Sequence, residues 1–325
     1  MEYRLTLITP TGNSMDITQY VRDLSWEEEH DSIAARATAQ LQNERLSSGQ
    51  WLHQSVPLGG HITIAANWGN GFQEVFRGVI FGWNYITDPL GNFTITAYDQ
   101  LIYLNKSKDD RYYSAGMSAR AIIVDIAQAW GIPLGTVQGL STLMAKQVFR
   151  GDTLADMIFS VLEQVKKRGG GERIVRSSRG QIDIIQPGQN PPLLHLSADM
   201  NVATAADNRN IENLVTRVRV IGAADSDTKA RVIAQRDGRV EFGILQELVY
   251  ERQHDTAAAA QSAARELLKE RGQPQRERAV TAMDVPFLRK GDKVTVSAGT
   301  LTGELVISQI RHNATTQEME VKAYD

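Results

Sequence analysis

The hydrophobic pattern changes period twice along the 325 residues, and this constrains the fold more than any other feature of the chain. Up to about residue 104 apolar residues alternate with polar ones, as in half-buried strands. Residues 3–8 alternate, Pro10 to Gly12 makes a turn, and Val21, Leu24 and Trp26 lie in the next extended run. Residues 35–41 set small apolar side chains against Arg36, Thr38 and Gln40, which is period two despite the helix preference of alanine. Strands are predicted at 61–66, 75–85 and 92–98, the last two joined by the turn Asp88-Pro89-Leu90-Gly91.

Between about 105 and 198 the period becomes helical. Ser118 is placed to cap a helix whose stripe is Ile122, Ile123, Ile126, Ala127 and Trp130, with Gly131 and Pro133 as its stop. A second helix is predicted from Asp152, with Leu154, Met157, Ile158, Val161, Leu162 and Val165 buried and Gly169, Gly170 and Gly171 ending it. A hairpin follows at 173–176 and 181–185, turned by Ser177-Ser178-Arg179-Gly180, and Asn190-Pro191-Pro192 reads as a linker. From about 199 alternation returns at 214–221. The Asp237-Gly238 turn is expected to separate strands at 230–235 and 239–242. One alanine-rich helix, 257–268, capped by Thr256 or Asp255 and stopped by Gly272 and Pro274, interrupts the strands. Its small side chains suit close packing on its own barrel better than insertion in a membrane.

The two alternating regions share a pattern. Gly59-Gly60-His61-Ile62-Thr63-Ile64 lies beside Gly291-Asp292-Lys293-Val294-Thr295-Val296, each a glycine turn feeding a strand of the same phase. Each is followed by a glycine (Gly78, Gly303), a long hairpin and a final strand ending Ala-Tyr-Asp, at Tyr98-Asp99 and Tyr324-Asp325. A longer loop at 67–74 explains the greater length of the first copy. The expected fold is therefore mainly β with an α/β middle. Two similar antiparallel β-barrel domains, 1–104 and 199–325, flank a small α/β domain at 105–198. Three such chains would present six similar barrels, a pseudo-sixfold ring able to dock on a true hexamer.

Chemistry is sparse. The formal charge of −3 disfavours a dedicated nucleic-acid binder, and Lys166-Lys167-Arg168 reads as a helix C-terminal dipole partner. There is no cysteine, so disulfides, thiolate zinc sites and cysteine nucleophiles are excluded. The amino terminus lacks a signal-peptide pattern, and no apolar run approaches the roughly 20 residues that span a bilayer. None of His30, His53, His61, His195, His254 and His312 has metal-ligand spacing, and no G-x-S-x-G elbow occurs. Gly169 to Gly171 follows a helix and cannot cradle phosphate at a helix start. Asp109-Asp110 and Glu27-Glu28-Glu29 read as solvated loop charge, not as a glycosidase pair. No catalytic, cofactor or metal residue is expected.

Taken in order, several segments resemble a known family. They are Asp16-Ile17-Thr18-Gln19-Tyr20-Val21 with Leu24 and Trp26, the run from Phe76-Arg77-Gly78-Val79 to Tyr98-Asp99-Gln100-Leu101-Ile102-Tyr103-Leu104, residues 118–135, Gly151-Asp152-Thr153-Leu154, and Leu288-Arg289-Lys290-Gly291-Asp292-Lys293-Val294 after the last helix. Together the chain resembles the hub proteins of contractile phage tails, notably the XkdQ-type tail proteins of PBSX-like prophages, and more distantly the hub portion of type VI secretion spike proteins. The resemblance implies a homotrimer of tail-tube-type barrels in the virion tail baseplate, assembled in the host bacterial cytoplasm. Its implied partners are the hexameric tail tube protein, the trimeric spike protein and other baseplate proteins, without sequence-specific nucleic-acid contact or membrane. It carries over no catalytic residues. Two rival readings are a tail-associated peptidoglycan-degrading enzyme and a carbohydrate- or receptor-binding tail module. The second expects exposed aromatics such as Trp51, Trp68 and Tyr112-Tyr113.

Overall fold

The computed structural model describes residues 1–85, 91–190, 194–222, 231–250 and 256–324. The expected turn at Asp88-Pro89-Leu90, the prolines Pro191 and Pro192, the alternative cap Asp255, and Asp325 lie outside the described residues.

The amino-terminal strands are β1 (Glu2–Ile8), β2 (Ser14–Asp16), β3 (Val21–Glu28), β4 (Arg36–Gln42), β5 (His61–Asn67), β6 (Phe72–Tyr85) and β7 (Asn92–Tyr98). Alternation places one face of each against a core of Leu5, Leu7, Leu24, Trp26, Ile62, Ile64, Phe93 and Ile95. The alanines of β4 are strand residues because they pair with β3 on one side and β7 on the other, where small side chains fit between larger rows.

The middle segment carries α1 (Ile102–Lys106), β8 (Lys108–Tyr113), α2 (Ala119–Ala129), β9 (Leu134–Val137), β10 (Gln147–Thr153), α3 (Leu154–Val165), β11 (Ile174–Ser178) and β12 (Gln181–Ile185). Ser118 caps α2 by accepting from the Ala121 amide at 3.2 Å. The cap of α3 is Thr153, one residue beyond the predicted start, because its hydroxyl accepts from the Asp156 amide while Asp152 is drawn into β10. The stripes of both helices pack with β11 and β12 into a single core. The β11–β12 turn places Arg179 and Gly180 at φ 50° and 76°, the geometry of a tight hairpin.

The remaining elements are β13 (Leu194–Ser197), β14 (Val202–Asn210), β15 (Arg217–Ile221), β16 (Val232–Asp237), β17 (Gln246–Tyr250), α4 (Ala257–Arg271), β18 (Gln275–Met283), β19 (Lys293–Ala298), β20 (Leu301–Val306), β21 (Gln309–Asn313) and β22 (Glu318–Tyr324). One expectation fails here. Residues 240–242 form a short 3-10 turn, not a strand, because β15 rather than the following segment is the hairpin partner of β16. The chain then winds through Gly243, at φ 93°, to lay β17 parallel to β15.

Two compact units result, residues 1–205 with 279–323, and residues 206–278 with 324–325. In the second unit α4 covers the sheet β16-β15-β17, with Ala260 and Ala264 against Val218, Val220 and Ala234. The predicted helix lies on its own sheet.

Strands from both ends of the chain join one 11-stranded sheet, ordered β14-β18-β22-β21-β3-β4-β7-β6-β5-β1-β2. That ladder is open at both ends, and no closed barrel occurs among the described residues. Its amino-terminal half runs β3-β4-β7-β6-β5-β1. The carboxyl-terminal half runs β14-β18-β22-β21, and the neighbouring sheet is β20-β19-β13. Since β20 leads into β21 through Ile307 and Ser308 alone, the same neighbour order occurs twice, with β20 and β21 together in the place of the long β6. One difference stands: β1 is antiparallel to β5, whereas β13 is parallel to β19.

Candidate functional site

The repeated turn is the first candidate. Gly59 and Gly291 both adopt positive φ, at 77° and 90°, where a side chain is strained. The Gly59 amide donates to the Ile80 carbonyl at 2.9 Å, and the Ile80 amide donates back to Gly60 at 2.7 Å. The Gly291 amide donates to Ile307 at 2.7 Å, and Ile307 donates back to Asp292 at 2.8 Å. The same reciprocal pair thus ties each glycine turn to the bend of the following strand. One residue past each bend the ladder takes an extra residue: β6 shifts register between Ile80 and Gly82, and Ser308 separates β20 from β21.

Register separates the two later glycines. Gly78 lies opposite Ile62, whereas Gly303 lies opposite Val296, so the residue standing where Gly78 stands is Leu305, opposite Val294. Their physical roles differ too. A Cβ on Gly78 would come within 2.6 Å of both the Phe76 ring and the Tyr98 carbonyl, whereas Gly303 has open space and φ 111°. Tyr98 pairs with Arg36 and Val79, and Tyr324 closes β22.

The second candidate is the seam where β21 pairs with β3, from Ile310 opposite Glu28 to Asn313 opposite Ser25. The Trp26 indole stacks on the His312 ring, centroids 4.7 Å apart. His312 Nδ1 faces Asp284 at 2.6 Å and Nε2 faces the Leu288 carbonyl at 3.1 Å, while Tyr3 donates its hydroxyl to Asp284. All of His312, Asp284 and Trp26 are buried.

Beside this stack the turn 289–292 reaches three parts of the chain. Arg289 donates to the Glu28 carboxylate and, at 2.8 Å, to the Ser177 carbonyl. Lys290 donates to the carbonyls of Glu29 and Ser32, at 3.1 and 2.7 Å. Arg176 donates to Asp292 at 3.0 Å and to the Lys290 carbonyl at 3.1 Å. Burial pushes the Glu28 carboxyl up, but the Arg289 guanidinium, with Lys290 and Arg176 behind it, overcomes this and holds it below the usual carboxylate range. Burial likewise pulls the Lys290 ammonium down. Asp99 sits nearby, accepting from the amides of Ala35 and Leu101 at 2.9 Å each, and burial pushes its carboxyl up to about 7. A cleft of about 210 Å³ opens along the seam between Trp26, Glu28, Phe76, Asp99, Phe287 and Arg289.

The acidic run is thus not solvated charge throughout. Glu27 is paired with Arg36 on the surface, but Glu28 is 6 % exposed, because the alternation of β3 turns it to the same side as Trp26. Asp109 and Asp110 serve the β8–β10 ladder, Asp109 by holding Arg111 at 2.8 Å and Asp110 by accepting from Gly151 at 2.7 Å. Lys166, Lys167 and Arg168 have local partners, in Glu172, Glu163 and the Leu143 carbonyl. Of the aromatics considered for glycan binding, Trp51, Trp68 and Tyr112 are exposed, while Tyr113 is buried with its hydroxyl on Asp125 at 2.8 Å. No group of three or more His, Asp or Glu side chains able to hold a metal occurs among the described residues, and no helix of the described residues is long and apolar enough to cross a membrane. In the seam Arg289, Lys290 and Arg176 are turned inward on neighbouring groups of the chain.

This mainly β fold is shared with solved phage tail proteins. The structure matches a 43 kDa tail protein of prophage MuSo2 from Shewanella oneidensis with a TM-score of 0.71, at 14% identity over 99% of this chain and 98% of that one. It matches a tail protein from Neisseria meningitidis MC58 with a TM-score of 0.70, at 11% identity over 100% and 97%. A third match, TM-score 0.56 and 11% identity over 94% and 73%, is the E. coli c3393 protein, a type VI secretion component described as similar to T4 tail proteins gp27 and gp5. In sequence, the uncharacterized protein YqbQ of Bacillus subtilis is 26% identical over 258 residues, 78% of this chain and 76% of that protein. Residues 24–322 match the YQBQ-like family, and the chain belongs to it.

Proposed function

We propose that this chain is the structural hub of a contractile phage-tail baseplate or of a tail-like particle. Three copies form a pseudo-sixfold ring between a hexameric tail tube and a trimeric spike, assembled in the host bacterial cytoplasm and carried in the virion tail. The observation that carries this reading is the duplicated strand order, with its reciprocal hydrogen bonds at Gly59/Ile80 and Gly291/Ile307. A chain that repeats one β architecture can offer six near-equivalent positions from three subunits. The likeness to prophage tail proteins over nearly the whole chain supports the same reading.

The role needs no reaction and no cofactor. The inward-turned charges of the seam support a rigid joint, since Arg289, Lys290 and Arg176 each donate to groups of this chain. The test is reconstitution with the tube and spike proteins of the same particle, read by electron microscopy and native mass. Three chains in a ring between the two partners is the expected result. Cell-wall zymography with a cleared zone, or selective glycan binding by a single chain, would overturn it in favour of a lytic enzyme or a receptor-binding module.

A further inference from the structure

The seam inside one chain is also a template for the joint between chains. Within the chain, β21 has β22 on one side and β3 on the other. Registers identify the amino-terminal counterpart of β21. Aligning β22 with β7 on their shared Ala-Tyr ending sets Ile310, opposite Val321, in the place of Trp83, opposite Ile95. His312, opposite Met319, likewise corresponds to Tyr85, opposite Phe93. The counterpart of β21 is therefore the end of β6, Gly82 to Tyr85.

That end of β6 has β7 on one side only. Strand β5 accompanies β6 no further than Val79, and among the described residues no strand lies against Gly82 to Tyr85 on the other side. By the repeated strand order, the counterpart of β3 is β14, which ends the sheet with β18 as its one neighbouring strand among the described residues. Where β3 buries Leu24, Ser25, Trp26 and Glu28 in the seam, β14 leaves Ala203, Thr204, Ala205 and Ala206 exposed. Each chain thus carries one half of a second seam at each of two places.

The two halves suit each other. The β6 half presents Phe81 and Trp83, 40% and 37% exposed, and the β14 half presents small side chains, so large residues face room instead of one another. Neither Phe81 to Tyr85 nor Val202 to Ala206 contains a charge or a proline, the devices that normally keep an open edge from pairing, and the charges further along β14, Asp207 and Arg209, are paired with each other. The surfaces are unlike, so the contact is head-to-tail and repeats until the rotation closes.

We infer that β14 of one copy pairs with the Gly82 to Tyr85 edge of β6 of the next copy, repeating the β3–β21 seam between chains. This rests on the ring reading and names its subunit joint. Three joints within chains and three between them then close the ring.

The absence of native cysteine makes the test direct. The full chain carrying Asn84→Cys is combined with Thr204→Cys, Ala205→Cys or Ala206→Cys, three variants that scan the register. The expected result under mild oxidation is covalent species of two and three chain masses from at least one pair, and from none of the single variants. Ala205→Glu, exposed in the lone chain, should leave thermal unfolding unchanged and raise the concentration for half-association at least tenfold. A threefold ring, seen by native mass, in which none of the three pairs cross-links and Ala205→Glu assembles normally overturns this joint and leaves the hub reading standing. A chain that yields no trimer and no cross-link, alone or with tube and spike proteins, overturns both.

Discussion

Replacing Arg289 with methionine keeps much of the aliphatic stem and removes the guanidinium that meets Glu28 and the Ser177 carbonyl. The two side chains are 19% and 7% exposed, so water replaces only part of what is lost. Breaking a buried pair by deleting one partner costs about 3–5 kcal/mol, because the remaining charge stays buried without its counter-ion. Lys290 and Arg176 still face Glu28 and soften the loss, which puts the expected cost at about 3 kcal/mol at pH 7. Against a total stability of roughly 5–15 kcal/mol this is large. The assay is urea denaturation of Arg289→Met followed by tryptophan fluorescence, since Trp26 is buried beside the pair. In the parent, Glu28 titrates below its unfolded value, so its contribution is present at neutral pH and disappears as pH falls through the folded value. In the variant burial dominates and the carboxyl titrates above its unfolded value, so the folded state loses stability as pH rises through that range. The deficit must therefore grow from pH 4 to pH 7. A cost below about 1 kcal/mol, or a deficit that shrinks as pH rises, refutes the seam as an adhesive element. Adding Glu28→Gln to the variant should recover about 2 kcal/mol by removing the stranded charge.

Further outcomes follow from single residues. Asp99, raised to about 7, holds a proton in the folded state that the unfolded chain has lost above about pH 4. Stability should fall between pH 4 and 7 by up to about 4 kcal/mol and then level, and Asp99→Asn should lack that slope in pH-dependent denaturation. Gly78→Ala forces a Cβ into the Tyr98 carbonyl and the Phe76 ring, and should cost about 2–3 kcal/mol by overpacking, whereas Gly303→Ala meets open space and should cost only the roughly 1 kcal/mol of its left-handed backbone. Equal thermal shifts for the two would contradict the difference in the space around them. Thr153→Ala removes the α3 cap and should cost about 1 kcal/mol, which Thr153→Ser restores.

Local chemistry was enough to read the helices α2, α3 and α4 and most strands from the amino-acid sequence. Ser118 and Thr256 are the caps, the i, i+3, i+4 stripes are the buried faces, and Gly59 and Gly291 stand at turns that favour a residue without a Cβ. These features depend on residues a few positions apart, so the pattern carries them. It did not carry the pairing register of the two hairpins, and so matched Gly78, opposite Ile62, to Gly303, where the register opposite Val294 sets Leu305. Nor could it show that β3 meets β21 across most of the chain, or that Glu28, one of three consecutive acids, is buried against Arg289. A strand's period tells which face is apolar and nothing about which strand lies beside it, because every backbone offers the same hydrogen bonds. Partner choice, and with it the burial of a charge, is decided only when distant segments pack.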